Sequence, residues 1–419
     1  MAWLEKMHHP EYYIKMFLKW GLLGLTVGVL GGVLGGVFHH ALHFVTHLRS
    51  DHMWLVFLLP LGGLATVGLY RVLKLQGNKG TNEIIDAALD GKEVSPFVAV
   101  AIFLSAGITH LFGGSAGREG AALQLGGSTA SLLAKMFKLK EAERRILIMA
   151  GMSAVFAGLF GAPLTAMLFC MEFESVGTIF TPALLPCYLA AFTAGRVSGM
   201  LGVHAEVFPL DSAMELTLGI FWRLVVLSVL ISLLGIAMCA VFHKAEHLAR
   251  DHIPNPWVRI AAGGAVITVL TLLVGDHRFN GAGMDMALAA VAGNADWYSF
   301  LLKLVFTAVT LAAGFKGGEI VPTFCIGATF GCVLGGLLGL EPGIAGALGL
   351  VGLFCCATNS PLASIMLSIE MFGPANLYLF CLVCVICFVL SGHSGLYASQ
   401  IICFSKVSES GDLPQKANS

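Results

Sequence analysis

Between residues 21 and 47 the chain runs through Leu, Val, Phe and Gly without a single Lys, Arg, Asp or Glu. A helix needs about 20 residues, at ~1.5 Å rise each, to cross the hydrocarbon core of a bilayer. Inside lipid every backbone N–H and C=O must be satisfied by the chain itself, which leaves helices or closed barrels. Glycines at 24, 28, 31, 32, 35 and 36 give this run a small-residue face for close helix packing. Comparable apolar runs occupy residues 53–75, 97–112, 146–160, 163–171 and 376–390. Across 419 residues the chain is 57% hydrophobic and 12% charged, with a mean hydropathy of +0.84. There is room for about ten or more membrane helices, so the fold class is an all-α polytopic membrane protein. The net charge of −1 says nothing about nucleic acid, and with no basic tract of the needed density none is expected as a partner. The 11 cysteines lie almost entirely within apolar runs and imply no disulfide framework. Cys381, Cys384 and Cys387 have a metal-like spacing, but in a Leu/Val/Ile/Phe helix they read as packing residues. No metal and no cofactor is expected.

Within this apolar chain stands Gly113-Gly114-Ser115-Ala116-Gly117-Arg118-Glu119-Gly120, at the mouth of a helix-like run over residues 121–135. Ionisable groups at membrane depth are costly and sit in polar cavities or pathways. Glycines free the backbone to turn its N–H groups toward a ligand, and a helix N-terminus offers donors suited to an anion. A carboxylate at such a mouth competes with a soluble anion for the same donors, which outlines a protonation-controlled anion gate. The alternatives are a structural Arg118–Glu119 ion pair, and a G-x-S-x-G nucleophile elbow at Ser115. The elbow requires a preceding strand and a soluble α/β sheet.

The N-terminus carries no cleavable signal. Residues 1–20 mix Lys6, His8, His9, Glu11, Lys15 and Lys19 with Trp and Tyr, and read as a cytoplasmic interfacial helix. His8 and His9 read as surface residues. Arg71 and Lys74, and the cluster Lys135, Lys138, Lys140, Arg144 and Arg145, mark cytoplasmic helix ends. Between two apolar runs, Gly77-Asn78-Lys79-Gly80-Thr81-Asn82-Glu83 forms a polar loop in which Lys79 has the plain reading of a cytoplasmic turn facing water. Gly161-Ala162-Pro163 breaks an apolar run, so a new helix must open at Pro163.

The second half repeats the first. Pro163 to Glu172 matches Pro361 to Glu370 at an offset of 198 (361 − 163). Gly80 matches Gly283 at 203 (283 − 80), and Ala121 to Gly126 matches Pro322 to Gly327 at 201 (322 − 121). Near-equal offsets in order indicate duplication, and the units divide as a first membrane repeat (21–205) and a second (206–404). A polar tail over 405–419 is too short for a regulatory domain. Duplicated membrane proteins with Gly/Pro-interrupted segments are typically transporters or channels whose sites form where broken helices meet. The copy of the glycine-rich mouth is Gly314-Phe315-Lys316-Gly317-Gly318-Glu319-Ile320-Val321-Pro322-Thr323-Phe324. It brings a second carboxylate, Glu319, whose plain alternative is a pair with Lys316. Burial disfavours a carboxyl's charged form, which makes it a usable proton carrier. Tyr397, after Gly395, stands at what reads as another glycine-led helix start and offers its hydroxyl to an anion.

Together these residues resemble the CLC family of anion channels and proton-coupled antiporters over nearly the whole chain. The family's gating-glutamate motif is matched by Gly117-Arg118-Glu119-Gly120, with Ala121 where proline is usual. The double glycine leading to proline is matched by Gly317-Gly318 and Pro322, and the late tyrosine by Tyr397. Glu319 directly after the double glycine, and His393-Ser394 through Ser399-Gln400, look most like the fluoride/proton antiporter branch. The resemblance implies an inverted repeat whose broken helices meet at a central anion site, assembled as a homodimer in the cell membrane with its N-terminus cytoplasmic. It implies Glu119 and Glu319 as gating and proton-transfer residues. Gly117, Arg118, Gly120, Val321, Phe324 and Tyr397 are implied around the anion, with Lys79 in an ungapped alignment or Asn78 in a gapped one. Val321 replaces the threonine often found before the proline, and Phe173 stands where chloride antiporters carry an internal proton glutamate. The implied function is fluoride export coupled to proton import, with a chloride-type antiporter or channel as the alternative and no enzymatic activity.

Overall fold

The computed structural model describes residues 10–208, 210, 213–406 and 415–416. His8, His9 and most of the tail from residue 405 lie outside the described residues. Helix α1 spans Pro10–Asp51. It continues without a break through residue 20, so the expected interfacial helix and first span are one element. Lys19 reaches Glu143, tying the start of α1 to the start of α6 (Glu141–Phe160). The glycine face of α1 lies on α8 (Leu184–Met200): a Cβ at Gly32 would fall 2.7 Å from the Ala194 carbonyl oxygen.

A short 3-10 turn leads to α2 (Leu59–Val72), followed by α3 (Thr81–Asp90), α4 (Phe97–Leu111), α5 (Glu119–Met136), α6 and α7 (Pro163–Glu172). After α8 the order recurs. A long α9 (Leu218–His252) answers α1, and α10 (Pro256–Val274), α11 (Met284–Val291) and α12 (Ser299–Ala313) answer α2, α3 and α4. Then α13 (Ile320–Leu337), α14 (Pro342–Thr358), α15 (Pro361–Phe372) and α16 (Leu377–Leu390) answer α5, α6, α7 and α8. Both α6 and α14 end on a left-handed residue, Gly161 (φ 67°) and Asn359 (φ 56°), the two residue types that adopt this cap most readily. Five helical segments among the described residues are long and apolar enough to cross a membrane alone. Apolar helices of 10–17 residues make up other parts of the fold and end within it.

Short helices that end inside the protein need their terminal N–H groups satisfied. The two repeats supply each other. Glu172, ending α7, accepts the N–H groups of Leu362 (3.1 Å) and Ala363 (2.9 Å) at the start of α15. Glu370, on α15, accepts those of Leu164 (3.0 Å) and Thr165 (2.8 Å) at the start of α7. The shared Pro-to-Glu spacing is therefore a reciprocal capping device between the two halves.

No helix begins at Gly395. The chain after α16 is irregular from 393 to 400 and enters β2 (Ile401–Ile402), which pairs in parallel with β1 (Ser175–Val176) and antiparallel with β3 (Gln415–Lys416). This segment is anchored by Gln400, whose amide donates to the carbonyls of Phe173 (2.6 Å) and Thr358 (2.9 Å). Tyr397 is thus presented by a loop held between the repeats.

Candidate anion and proton site between the repeats

Both glycine-rich stretches end in a helix start, and the two starts meet. The Gly117 N–H donates to the Gly318 carbonyl at 2.6 Å, and the Gly318 N–H returns a bond to Gly117 at 2.8 Å, an isolated antiparallel bridge. Glycine is required here: a Cβ on Gly318 would lie 2.6 Å from the Gly120 nitrogen and 2.9 Å from the Glu119 carboxylate. Glu119 opens α5 and is completely buried. Its Oε2 accepts the Val321 N–H at 3.2 Å, while Oε1 has no hydrogen-bond partner. Val321 is the second residue of α13. A carboxylate from the first repeat therefore occupies an N-terminal donor of the second repeat's helix, the place such a helix offers an anion.

Arg118 turns away from Glu119. Its guanidinium pairs with Glu206, approaches His39 Nδ1 at 3.4 Å and lies 5.1 Å from the centre of the Phe160 ring. The Arg118–Glu119 pair is not formed, and Arg118 serves the wall of the mouth through its backbone and Glu206. Glu319 stands at the N-cap position of α13 without a side-chain capping bond, and its Oε2 is buried and unpaired. It makes no ion pair with Lys316 among the described residues. The Lys316 ammonium instead stands 4.8 Å from the centre of the Tyr70 ring. With Gly117 facing Gly318, Glu319 corresponds to Arg118 and Glu119 to Ile320, so the two carboxylates are one position out of register.

Lys79 does not reach this site. Its side chain is 66% exposed and its ammonium lies 3.5 Å from Asp86. Asn78 is half-buried, but its amide donates to Glu83 at 2.6 Å and its oxygen accepts the Gly80 N–H at 3.0 Å. Both therefore shape the turn before α3. The residue this turn delivers inward is Thr81, buried at the start of α3, whose hydroxyl lies 3.4 Å from the Gln124 amide. A Cβ on Gly120 would sit 2.9 Å from that hydroxyl, so α3 makes a third helix start at the site. Asn82 accepts the Ser399 N–H at 3.0 Å and ties the Tyr397 loop to the same helix. Sequence reasoning missed Thr81 and Gln124, although both sit within the motifs it singled out.

Tyr397 is buried, and its hydroxyl has no hydrogen-bond partner. Its ring lies edge-on to Phe173 at 5.5 Å, and Phe173 stacks on Phe169 at 4.6 Å. Phe169 meets Phe354 (5.6 Å), which meets Phe324 on α13 (5.3 Å). Phe173 and Phe324 thus belong to an aromatic wall that excludes water beside a polar focus. A buried hydroxyl without a partner is a donor in want of an acceptor. Ser115 has a different role from a nucleophile: its buried hydroxyl meets Lys303 Nζ at 2.9 Å and Thr307 at 3.0 Å. Lys303 also donates to the carbonyls of Gly281 (2.7 Å) and Phe279 (3.3 Å), locking the first mouth to the second repeat.

Converging helix starts, an orphan hydroxyl and a buried acid define an integral membrane protein of the anion-carrier class. A family model described as voltage gated chloride channel matches residues 62–392, and the chain belongs to this CLC family. It is 34% identical over 368 residues to a "Chloride/fluoride channel protein" of Pseudomonas syringae pv. tomato, covering 86% of this chain and 81% of that one. To an "H(+)/Cl(-) exchange transporter ClcA" of Vibrio campbellii it is 25% identical over 347 residues, covering 76% and 72%. Among solved structures, a CLC-type fluoride/proton antiporter superposes with a TM-score of 0.88 at 34% identity, covering 91% of this chain and 98% of that one. A slow cyanobacterial Cl−/H+ antiporter shares the fold at a TM-score of 0.76, with 22% identity and coverage of 89% and 94%.

Proposed function

We propose that the protein exports fluoride in exchange for protons, with Glu119 as both gate and proton carrier. The observation that carries this reading is the Glu119 carboxylate on the Val321 N–H, beside the Gly117–Gly318 bridge. Ionised, the carboxylate holds the donor an anion needs. Protonated, it loses its charge and its claim on that N–H, and a fluoride ion takes the vacated position. Anion and proton then alternate at one point, which couples their opposite movements. Gly117 and Gly120 let the helix mouths approach each other, Phe324 closes the apolar side, and the Tyr397 hydroxyl supplies a further donor. Glu319 passes protons to Glu119 from its own side, supported by its unpaired buried oxygen. The named relatives support fluoride as the anion.

The protein works as a homodimer with one pathway per subunit and with its N-terminus in the cytoplasm. The orientation is supported by the cations gathered at one face. Lys19 meets Glu143, Lys135 meets Glu93 at 2.8 Å, and Arg144 donates to the Gly91 carbonyl at 3.0 Å. The second reading, chloride/proton exchange, is favoured by the Vibrio relative's name. Proteoliposomes loaded with fluoride or chloride, with pH recorded, decide between them. Glu119→Gln, which cannot titrate, should abolish proton uptake driven by the fluoride gradient; undiminished proton uptake places the gate elsewhere.

A further inference from the structure

A cavity of about 530 Å³ opens between the end of α2, the end of α9, the start of α10 and the link from α12 to α13. Four cationic side chains line it, Arg71, Arg250, Arg259 and Lys316, against one carboxylate, Glu246. That carboxylate is already engaged by Arg250 at 2.5 Å. Arg259 donates one Nη1 bond to the Ile253 carbonyl at 3.1 Å, and its buried Nε has no partner. Lys316 rests over the Tyr70 ring and forms no ion pair among the described residues. Between these heads the lining mixes polar groups, Gln76 and Asn78 among them, with apolar ones such as Leu75, Trp257 and Phe315.

Cations gathered around one half-open cavity repel each other, and an anion held between them offsets that repulsion. A lone fluoride ion fills only a small part of such a volume and satisfies one or two donors. A phosphate group presents several oxygens at once, and the guanidinium fork matches it through paired hydrogen bonds. Basic pockets between helices at a membrane face are also where anionic head groups bind. The helix α2 returns from the far end of α1, which sets the cavity at the face where α1 begins. We propose that this cavity is a binding site for a phosphate group, from a lipid head group or a soluble phosphate, separate from the carried anion. The occupant would touch Lys316, three residues before Glu319 and adjacent to the Gly317-Gly318 pair. It therefore holds the link that carries one half of the glycine bridge, and its presence adjusts how readily that bridge opens. The site does not depend on whether fluoride or chloride is carried.

The test is direct binding to the purified full-length protein in neutral detergent. One arm adds phosphatidylglycerol and counts retained lipid by native mass spectrometry; the other measures equilibrium binding of radiolabelled inorganic phosphate. At least one arm should show saturable binding that weakens by about tenfold or more in Lys316→Met and in Arg259→Gln. Lys74→Met, outside the cavity, should leave it unchanged. Arg71→Gln, at an exposed position, repeats the test if either half-buried variant fails to fold. Sensitivity in the lipid arm alone assigns a head group, and in the phosphate arm alone a soluble ligand. Absence of binding in both arms, or binding indifferent to the cavity variants, overturns the proposal.

Discussion

Replacing Gly318 by alanine tests the bridge at its tightest point. The added methyl would lie 2.6 Å from the Gly120 nitrogen, 2.9 Å from Glu119 Oε2 and 3.1 Å from the Glu119 nitrogen. Two of these neighbours are backbone and cannot rotate aside. Overpacking of this kind costs about 2 kcal/mol. If the mouths separate to relieve it, both Gly117–Gly318 hydrogen bonds weaken, at about 1 kcal/mol each. The combined cost, about 4 kcal/mol, divides between overall stability and the closed state of the site. Each 1.4 kcal/mol, roughly, borne by transport changes the rate about tenfold. Fluoride efflux from proteoliposomes should therefore fall by about tenfold or more, with a lowered thermal transition in detergent. Gly107→Ala on α4 is the control: no atom lies within 4 Å of its added Cβ, and alanine favours the helix by about 1 kcal/mol. Wild-type efflux together with wild-type stability in Gly318→Ala would refute the reasoning that the two mouths are held in contact.

Glu172→Gln and Glu370→Gln each keep shape but replace one carboxylate oxygen with a donor facing an N–H; each should lower thermal stability by about 1–3 kcal/mol, read from unfolding in detergent. A double variant close to the sum would mean the two caps act independently. Lys79→Met, at a largely exposed position, should leave the fluoride-over-chloride preference within error of wild type in paired flux assays. Tyr397→Phe keeps the ring against Phe173 and removes only the unpartnered hydroxyl, so stability should hold while half-saturating fluoride rises several-fold, about 1 kcal/mol.

The membrane class, the repeat and the two glycine-rich mouths were legible because they are local patterns: apolar runs, a proline after a break, and offsets that recur. What those patterns meet was not legible. Glu172 caps Leu362 across 190 residues, and Arg118 finds Glu206 across 88, partners that only the closed fold brings together. Arg118 beside Glu119 reads as an ion pair in sequence, but neighbours at a helix start diverge, so each is claimed from another direction. Lys79 was eligible for the pathway only through an ungapped family alignment; its plain reading, a turn lysine facing water, matches its largely exposed side chain. The helix expected at Gly395 failed for a physical reason: Gln400 and Asn82 fix that segment by side-chain bonds to backbone, leaving it no ladder of its own. Thr81 and Gln124 were hidden by their ordinariness, a hydroxyl and an amide whose meaning comes from facing Gly120.

The departure from symmetry carries as much of the mechanism as the symmetry does. An exact repeat would set a carboxylate at position 320, opposite Glu119, with both acids aimed at the same pair of helix starts. Two like charges in one dry site repel, and one would remain protonated or the donors would stay permanently filled. The second repeat instead carries its acid one residue earlier, at the N-cap, and presents apolar Ile320 and Val321 where Glu119 lands. One residue turns a side chain by about 100° around a helix axis. Glu119 thus meets the Val321 N–H alone, while Glu319 keeps a buried oxygen unpaired. On the proposed reading, a gate at Glu119 and a proton feeder at Glu319 need no more than this shift in register to take separate places.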